Sequence, residues 1–228
     1  NTLAEEKGKC DYFDRTKYSD GVLPIDTYKK EVDEIVNRKL SFDWETLRKD
    51  IKKVGLRHST LSAQMPSESS SVVSNATNGI EPPRDFLSIK KSKKGTLKQV
   101  VPQYQTLKNN YTLLWDMKSN EGYINVVATM QKYFDQGISG NWSYNPENYE
   151  DNQVPVSTMA QDLLNTYKYG WKTSYYQNTY DGKKEQEALH PMTYEEEQVG
   201  SVALQPDEPK PTSKPDVLDD EVCEACNI

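Results

Sequence analysis

The chain has 228 residues, a mass of 26.1 kDa, 28% charged residues and a mean hydropathy of −0.88. That is room for one large domain or two small ones, and no run approaches the roughly 20 apolar residues of a membrane span. The net charge of −7 argues against nucleic acid as a partner; three cysteines are too few for a disulfide framework, and two histidines with three cysteines argue against a self-contained zinc site.

The charge is unevenly spread. Residues 181–228 hold thirteen Asp and Glu against four Lys, a local charge of −9, so the first 180 residues stand near +2. An almost neutral body with an acidic tail is expected. The first residue is Asn, and no signal segment opens the chain, so the expected location is the cytoplasm.

The predicted elements run as follows. Asn1 to Leu23 is polar and reads as irregular. Pro24 opens a helix, with Asp26 as N-cap and Tyr28, Val32 and Ile35 at helical spacing, ending near Val36. A second helix runs from Asp43, its N-cap, to Val54, with Trp44, Leu47 and Ile51 as its stripe and Gly55 as its stop. Leu56 to Gln64 is a short strand candidate. The hydroxyl-rich run after Pro66 precedes Val72 and Val73 and suggests a helix start. Asn75 to Arg84 is a loop. Phe86 to Ile89 and Leu97 to Val101 are strands joined by a turn at Lys94-Gly95.

Pro102 opens a helix with Leu107, Tyr111 and Leu114 as its stripe. Gly122 to Gln136 is amphipathic, with Val126, Met130, Tyr133 and Phe134 on one side. Ile138 to Tyr144 is a strand. A strong helix begins near Pro155 and ends at Gly170, with Met159, Leu163, Leu164 and Tyr167 as its expected buried face. Trp171 to Gln177 closes as a strand. Beyond Asp181 an acidic, proline-interrupted run reads as a disordered tail. Strands alternating with helices give an α/β class, with too few strands for a whole sheet or barrel.

Three places could carry chemistry. Cys223 and Cys226 form a Cys-x-x-Cys pair near the terminus. Such a pair can close a small disulfide ring and exchange with other thiols as a mobile shuttle; half of an intermolecular metal hook, or no role, are the alternatives. Tyr175 and Tyr176 are adjacent on a predicted strand, where neighbours point to opposite faces, so one core and one surface ring is the plain expectation. A functional pair with touching rings would need a break in strand geometry. Ser67 to Ser71 presents hydroxyls and backbone N–H groups at a helix start, either an ordinary N-cap or an anion cradle for phosphate. Glu68 would oppose a phosphate if it pointed inward. His58 reads as a surface residue and Cys10 as an inert thiol.

Longer stretches of text then line up. Gly55-Leu56-Arg57, Ser59 to Ala63, Met65 to Glu68, Ser74 to Arg84, Met130-Gln131-Lys132 and Tyr175 to Thr179 together resemble the C-terminal part of the large (α) subunit of class I ribonucleoside-diphosphate reductase. The resemblance covers about Leu3 to Gly182, plus the terminal cysteines. It implies a fold: the last strands and outer helices of a ten-stranded α/β barrel over residues 1–180, with 181–228 as the tail. It implies roles as well. Pro66, Ser67, Glu68, Ser69 and Ser70 match the segment that holds the substrate diphosphate. Ser69 stands where many relatives have Thr. Tyr175 and Tyr176 match the dyad that relays a radical from the small (β) subunit. Cys223 and Cys226 match the tail dithiol that reduces the active-site disulfide and is recharged by thioredoxin or glutaredoxin, although close relatives space that pair more widely.

The thiyl-radical cysteine, the substrate-reducing cysteines and the nucleotide-effector sites lie upstream in that family, and Cys10 matches none of them. The implied chain is a fragment, or one piece of a naturally split, phage-type large subunit. It would be inactive without the upstream part and the small subunit, which carries the dinuclear metal and tyrosyl radical. This chain would bind no cofactor of its own, and no metal, nucleic acid or membrane. The alternative is a non-catalytic, dithiol-tailed adaptor that retains the fold.

Overall fold

Local chemistry cuts the early helices short. The computed structural model describes residues 1–77, 79–92 and 95–182, with the backbone alone for Glu68, Ser69 and residues 90–92 and 95–97. The expected irregular start contains a short helix, α1 (Thr2–Lys7), and a 3-10 turn at Phe13–Arg15. It is also partly core, because Phe13, Tyr18 and Leu23 are buried. The helix expected over 24–36 breaks after one turn. Helix α2 (Pro24–Thr27) stops at Tyr28, whose backbone is extended, and a 3-10 stretch resumes at Lys30–Glu34. Asp26 is not the N-cap; it lies in the first turn and its carboxylate accepts from Leu23 N–H at 2.7 Å. Helix α3 (Trp44–Val54) matches its sequence signals: the Asp43 carboxylate accepts from Thr46 N–H, and Gly55 takes the positive φ of 88° that ends it. It packs on a small core of Phe13, Tyr18, Leu23, Ile25, Ile51 and Leu56.

Residues 56–64 form no strand, only an isolated bridge at Gln64 to Ile138. Their N–H groups are claimed by a side chain instead. The Asp135 carboxylate accepts from Leu61 N–H at 2.7 Å, Ser62 N–H at 3.0 Å and Tyr18 Oη at 2.9 Å. After α4 (Glu68–Val73) and the loop come β1 (Leu87–Ser92) and β2 (Gly95–Val100), an antiparallel hairpin with Leu87 opposite Val100. Lys94, placed in the turn by the sequence, lies outside the described residues. The helix expected from Pro102 is also broken, into α5 (Tyr104–Leu107) and 3-10 turns at Lys108–Asn110 and Leu114–Asp116, since Tyr111 and Leu113 are extended.

The second half holds the main core. Helix α6 (Glu121–Gln131), β3 (Ser139–Tyr144), α7 (Val156–Tyr169) and β4 (Thr173–Thr179) follow in order, and β3 pairs with β4 in parallel across the α7 crossover. Helices and strands are thus mixed as in an α/β fold. The core is Val32, Tyr123, Ile124, Val127, Ala128, Ile138, Trp142, Tyr144 and Trp171. Gln131 stitches the strand starts together: its Oε1 accepts from Ile138 N–H at 3.1 Å and Lys172 N–H at 3.4 Å, and its Nε2 donates to Gln136 O at 2.7 Å. Beside it, buried Lys132 pairs with Asp33 and donates to Val36 O.

Two helices turn only part of the expected face inward. In α6 the buried residues are Tyr123, Ile124, Val127, Ala128 and Gln131; of the expected side, Met130 and Phe134 pack against this core, while Val126 and Tyr133 are exposed. In α7 the buried residues are Asp162 and Thr166; of the expected face, Met159 packs against the core, and Leu163, Leu164 and Tyr167 face outward. Asp162 can be buried because it is satisfied: Asn120 Nδ2 and Tyr144 Oη each donate to its Oδ2 at 3.0 Å. Asn120 Oδ1 in turn accepts from Ser143 N–H at 3.0 Å, tying both helices to β3.

Asp135 supplies a pH test. Burial opposes its ionisation, but the N–H donors of Leu61 and Ser62 and the Tyr18 hydroxyl outweigh it and hold the carboxyl below the usual 3.8. A depressed folded pKa adds stability above the unfolded value, and that stability is lost as pH falls through the folded one. Asp135→Asn should destabilise the full chain by about 1–3 kcal/mol near neutral pH. In denaturant titrations its deficit against the parent should shrink as pH drops below about 4.

Candidate functional site

Strand regularity fails at the two tyrosines. Pairing runs Ser139 to Thr173 and Gly140 to Ser174, then resumes at Trp142 to Gln177. Strand β4 therefore advances one residue more than β3, leaving Asn141 opposite both Tyr175 and Tyr176. This is a β-bulge, which re-aims side chains that would otherwise alternate. The plain expectation of opposite faces is overturned. The two rings meet edge to face, with centroids 4.4 Å apart and planes at 73°. Both are exposed, at 58% and 61%. The hydrogen bond with the Tyr175 phenol raises the pKa of Tyr176 above the ordinary value.

Three residues around the bulge escaped the sequence reading. Asn141 Oδ1 accepts from Tyr176 N–H at 3.0 Å. Its own N–H and Nδ2 both donate to Glu81 Oε1, at 2.9 and 2.8 Å. Gly140 leaves room beneath: a Cβ there would lie 2.2 Å from Tyr123 Oη and 2.9 Å from the Trp171 ring. Burial pushes the Tyr123 phenol up, and the nearby Glu81 carboxylate adds to it. A signal existed for Asn141, since Asn is depleted from strands and asks for a reason when it occupies one.

The hydroxyl-rich segment is anchored at the start of β3. Gln64 N–H donates to Gly137 O at 3.3 Å and Ser139 N–H donates to Gln64 O at 2.8 Å, so the strand start anchors the chain just before Pro66. Ser67 precedes α4 but its side chain makes no capping bond. Ser70 Oγ donates back to Ser67 O at 3.1 Å, and Ser71 N–H to the same oxygen at 2.7 Å. The first-turn N–H groups of Glu68, Ser69 and Ser70 have no acceptor within the helix. From the hairpin, Gln99 Nε2 donates to Ser71 O at 3.2 Å and Ala76 O at 3.0 Å, gripping the far end of α4. A cleft of about 330 Å³ reaches from Asn75 and Thr77 past Arg84 to Glu81, Asn141 and Asn178.

Cys223 and Cys226 lie outside the described residues. His58 is exposed. Cys10 is a half-buried free thiol packed against the smaller core. Among the described residues no helix is long and apolar enough to cross a membrane.

The packing beneath Gly140 is testable. Gly140→Ala should cost about 1–3 kcal/mol by overpacking. Thermal unfolding of Gly140→Ala with and without Tyr123→Phe should show the second change restoring part of the loss, because the hydroxyl is the nearest obstacle.

Comparison with known proteins matches residues 1–177 to the family model described as "Ribonucleotide reductase, barrel domain". The chain is 58% identical over 183 residues to a ribonucleoside-diphosphate reductase subunit alpha of Haemophilus influenzae, covering 80% of this chain and 24% of that protein. It is 56% identical over 185 residues to the reductase 1 subunit alpha of Escherichia coli, covering 81% and 24%. It is 47% identical over 182 residues to the subunit alpha of Enterobacteria phage T4, covering 79% and 24%. The chain thus spans about a quarter of the length of these relatives. It therefore belongs to the ribonucleotide reductase barrel-domain family.

Proposed function

We propose that the chain supplies the C-terminal part of the α/β barrel of a ribonucleoside-diphosphate reductase large subunit, working in the cytoplasm with an upstream large-subunit part and a small subunit. The observation that carries this is the contact of two exposed phenols across a strand bulge. Loss of an electron and a proton from one phenol leaves a phenoxyl radical. The touching neighbour restores both as a hydrogen atom, so the radical moves without net charge. An upstream thiol then gives its hydrogen atom to the last phenoxyl and becomes the thiyl radical. The initiating dinuclear metal and tyrosyl radical belong to the small subunit, and the effector nucleotides to the upstream part.

The other roles follow the same assignment. The segment Pro66, Ser67, Glu68, Ser69 and Ser70 holds the substrate diphosphate, through the N–H groups at the start of α4 and the hydroxyls of Ser67 and Ser70. During reduction two upstream thiols become a disulfide as the 2′-hydroxyl leaves as water. Cys223 and Cys226 re-reduce that disulfide, become one themselves, and are recharged by thioredoxin or glutaredoxin. The outward stripe of α7, with Leu163, Leu164 and Tyr167, contributes to docking the C-terminus of the small subunit.

The test is a CDP-reduction assay on the complex that co-purifies with this chain. Tyr175→Phe and Tyr176→Phe should each abolish turnover, by more than 1000-fold or about 4 kcal/mol in barrel-assembled enzyme, while the complex still forms. Full turnover with both phenols removed would leave the non-catalytic adaptor in its place.

A further inference from the structure

Glu81, Asn141 and Tyr176 form one directed chain of hydrogen bonds. A bulge leaves one N–H of the longer strand without its ladder acceptor. Here that N–H belongs to Tyr176, and the acceptor it finds is the side-chain oxygen of Asn141 at 3.0 Å. An amide can present either end. Glu81 selects the end, since its Oε1 takes both the Nδ2 and main-chain N–H of Asn141. A reversed amide would turn its oxygen on the carboxylate and its NH2 on another donor, so both contacts would be lost.

Tyr176 is an exposed residue, so water can satisfy its N–H as well. The contribution of this bond is then to geometry and little to stability. It ties the peptide that joins Tyr175 to Tyr176 to the side chain of Asn141 on β3, which Glu81 in turn holds from the 75–84 loop.

We propose that Asn141 is a positioning residue for the tyrosine pair and that Glu81 acts through it by setting the direction of its amide. The assignment rests on the radical-relay role proposed above. Hydrogen-atom transfer between phenols needs close, defined contact, and a displacement of about 1 Å can cost about 100-fold in rate.

The experiment uses the assembled large subunit with a 3-fluorotyrosine at position 175, read by fluorine NMR and by turnover with the small subunit. The edge-to-face partner shifts the fluorine resonance away from that of a free tyrosine. Asn141→Ala should move the resonance to the free position and lower kcat about 10- to 100-fold. The KM for CDP and the unfolding midpoint should hardly change. Glu81→Leu should do the same, and Glu81→Gln, which keeps an acceptor oxygen, should retain the parent resonance. Should Asn141→Ala fail to assemble, the two Glu81 variants decide the matter between them. An unmoved resonance in Asn141→Ala, or in Glu81→Leu, overturns the proposal. A moved resonance with unchanged turnover in Tyr175→Phe and Tyr176→Phe would sink the relay instead and leave the positioning of the rings intact.

Discussion

The parallel pairing of β3 with β4, interrupted at Asn141, is the constraint on which the two candidate sites depend. Its start anchors the segment that leads to the hydroxyl-rich turn, through Gln64 and the 137–139 backbone. Its middle forces the extra residue of β4 outward and brings the phenols into contact. Its inner face is locked by Trp142, Tyr144 and Trp171, and by the indole N–H of Trp171, which donates to Ile138 O at 2.6 Å. The helices are held to this strand by polar groups as much as by apolar ones. Gln131 reads both strand starts, and Asp162 gathers Asn120 and Tyr144. Removing any one of these would leave a buried partner unsatisfied, which is costly.

Elements with strong local signals were legible in the sequence. Helix α3 has its Asp43 cap, its stripe and its Gly55 stop, and all three act as expected. The β1–β2 hairpin and the run of β3, α7 and β4 were legible for the same reason. The misses share a cause in side-chain capture of backbone groups or in extended residues that no pattern marks. The 56–64 stretch reads as a strand by composition, yet Asp135, more than seventy residues on, takes its N–H groups. The helix from Pro24 stops because Tyr28 turns extended so that its hydroxyl can donate to Asp33 at 2.8 Å, beside Lys132.

The partly outward faces of α6 and α7 teach a different lesson. Periodicity finds an apolar stripe but does not say what covers it. In α7 Met159 packs on the core as its spacing implies, but the fully buried positions are Asp162 and Thr166, which apolar counting ranks last. The candidate site splits the same way. The tyrosines and the hydroxyl run were visible as residue types, and their meaning came from resemblance. Their arrangement was not visible, because period-two reasoning places Tyr175 and Tyr176 on opposite faces and a bulge has no fixed sequence mark. Glu81 and Asn141, which shape that bulge, were plain text in a loop and a strand.

The central claim is that an electron hole passes through the phenols on β4. The most direct measurement places 3-aminotyrosine, which is easier to oxidise than tyrosine, at position 176 of the assembled enzyme. Electron paramagnetic resonance is then recorded after mixing with small subunit, CDP and effector. The account expects an aminotyrosyl radical to appear as the small-subunit tyrosyl radical declines in equal amount. An unchanged small-subunit radical, with no new signal while CDP is still reduced, would contradict it.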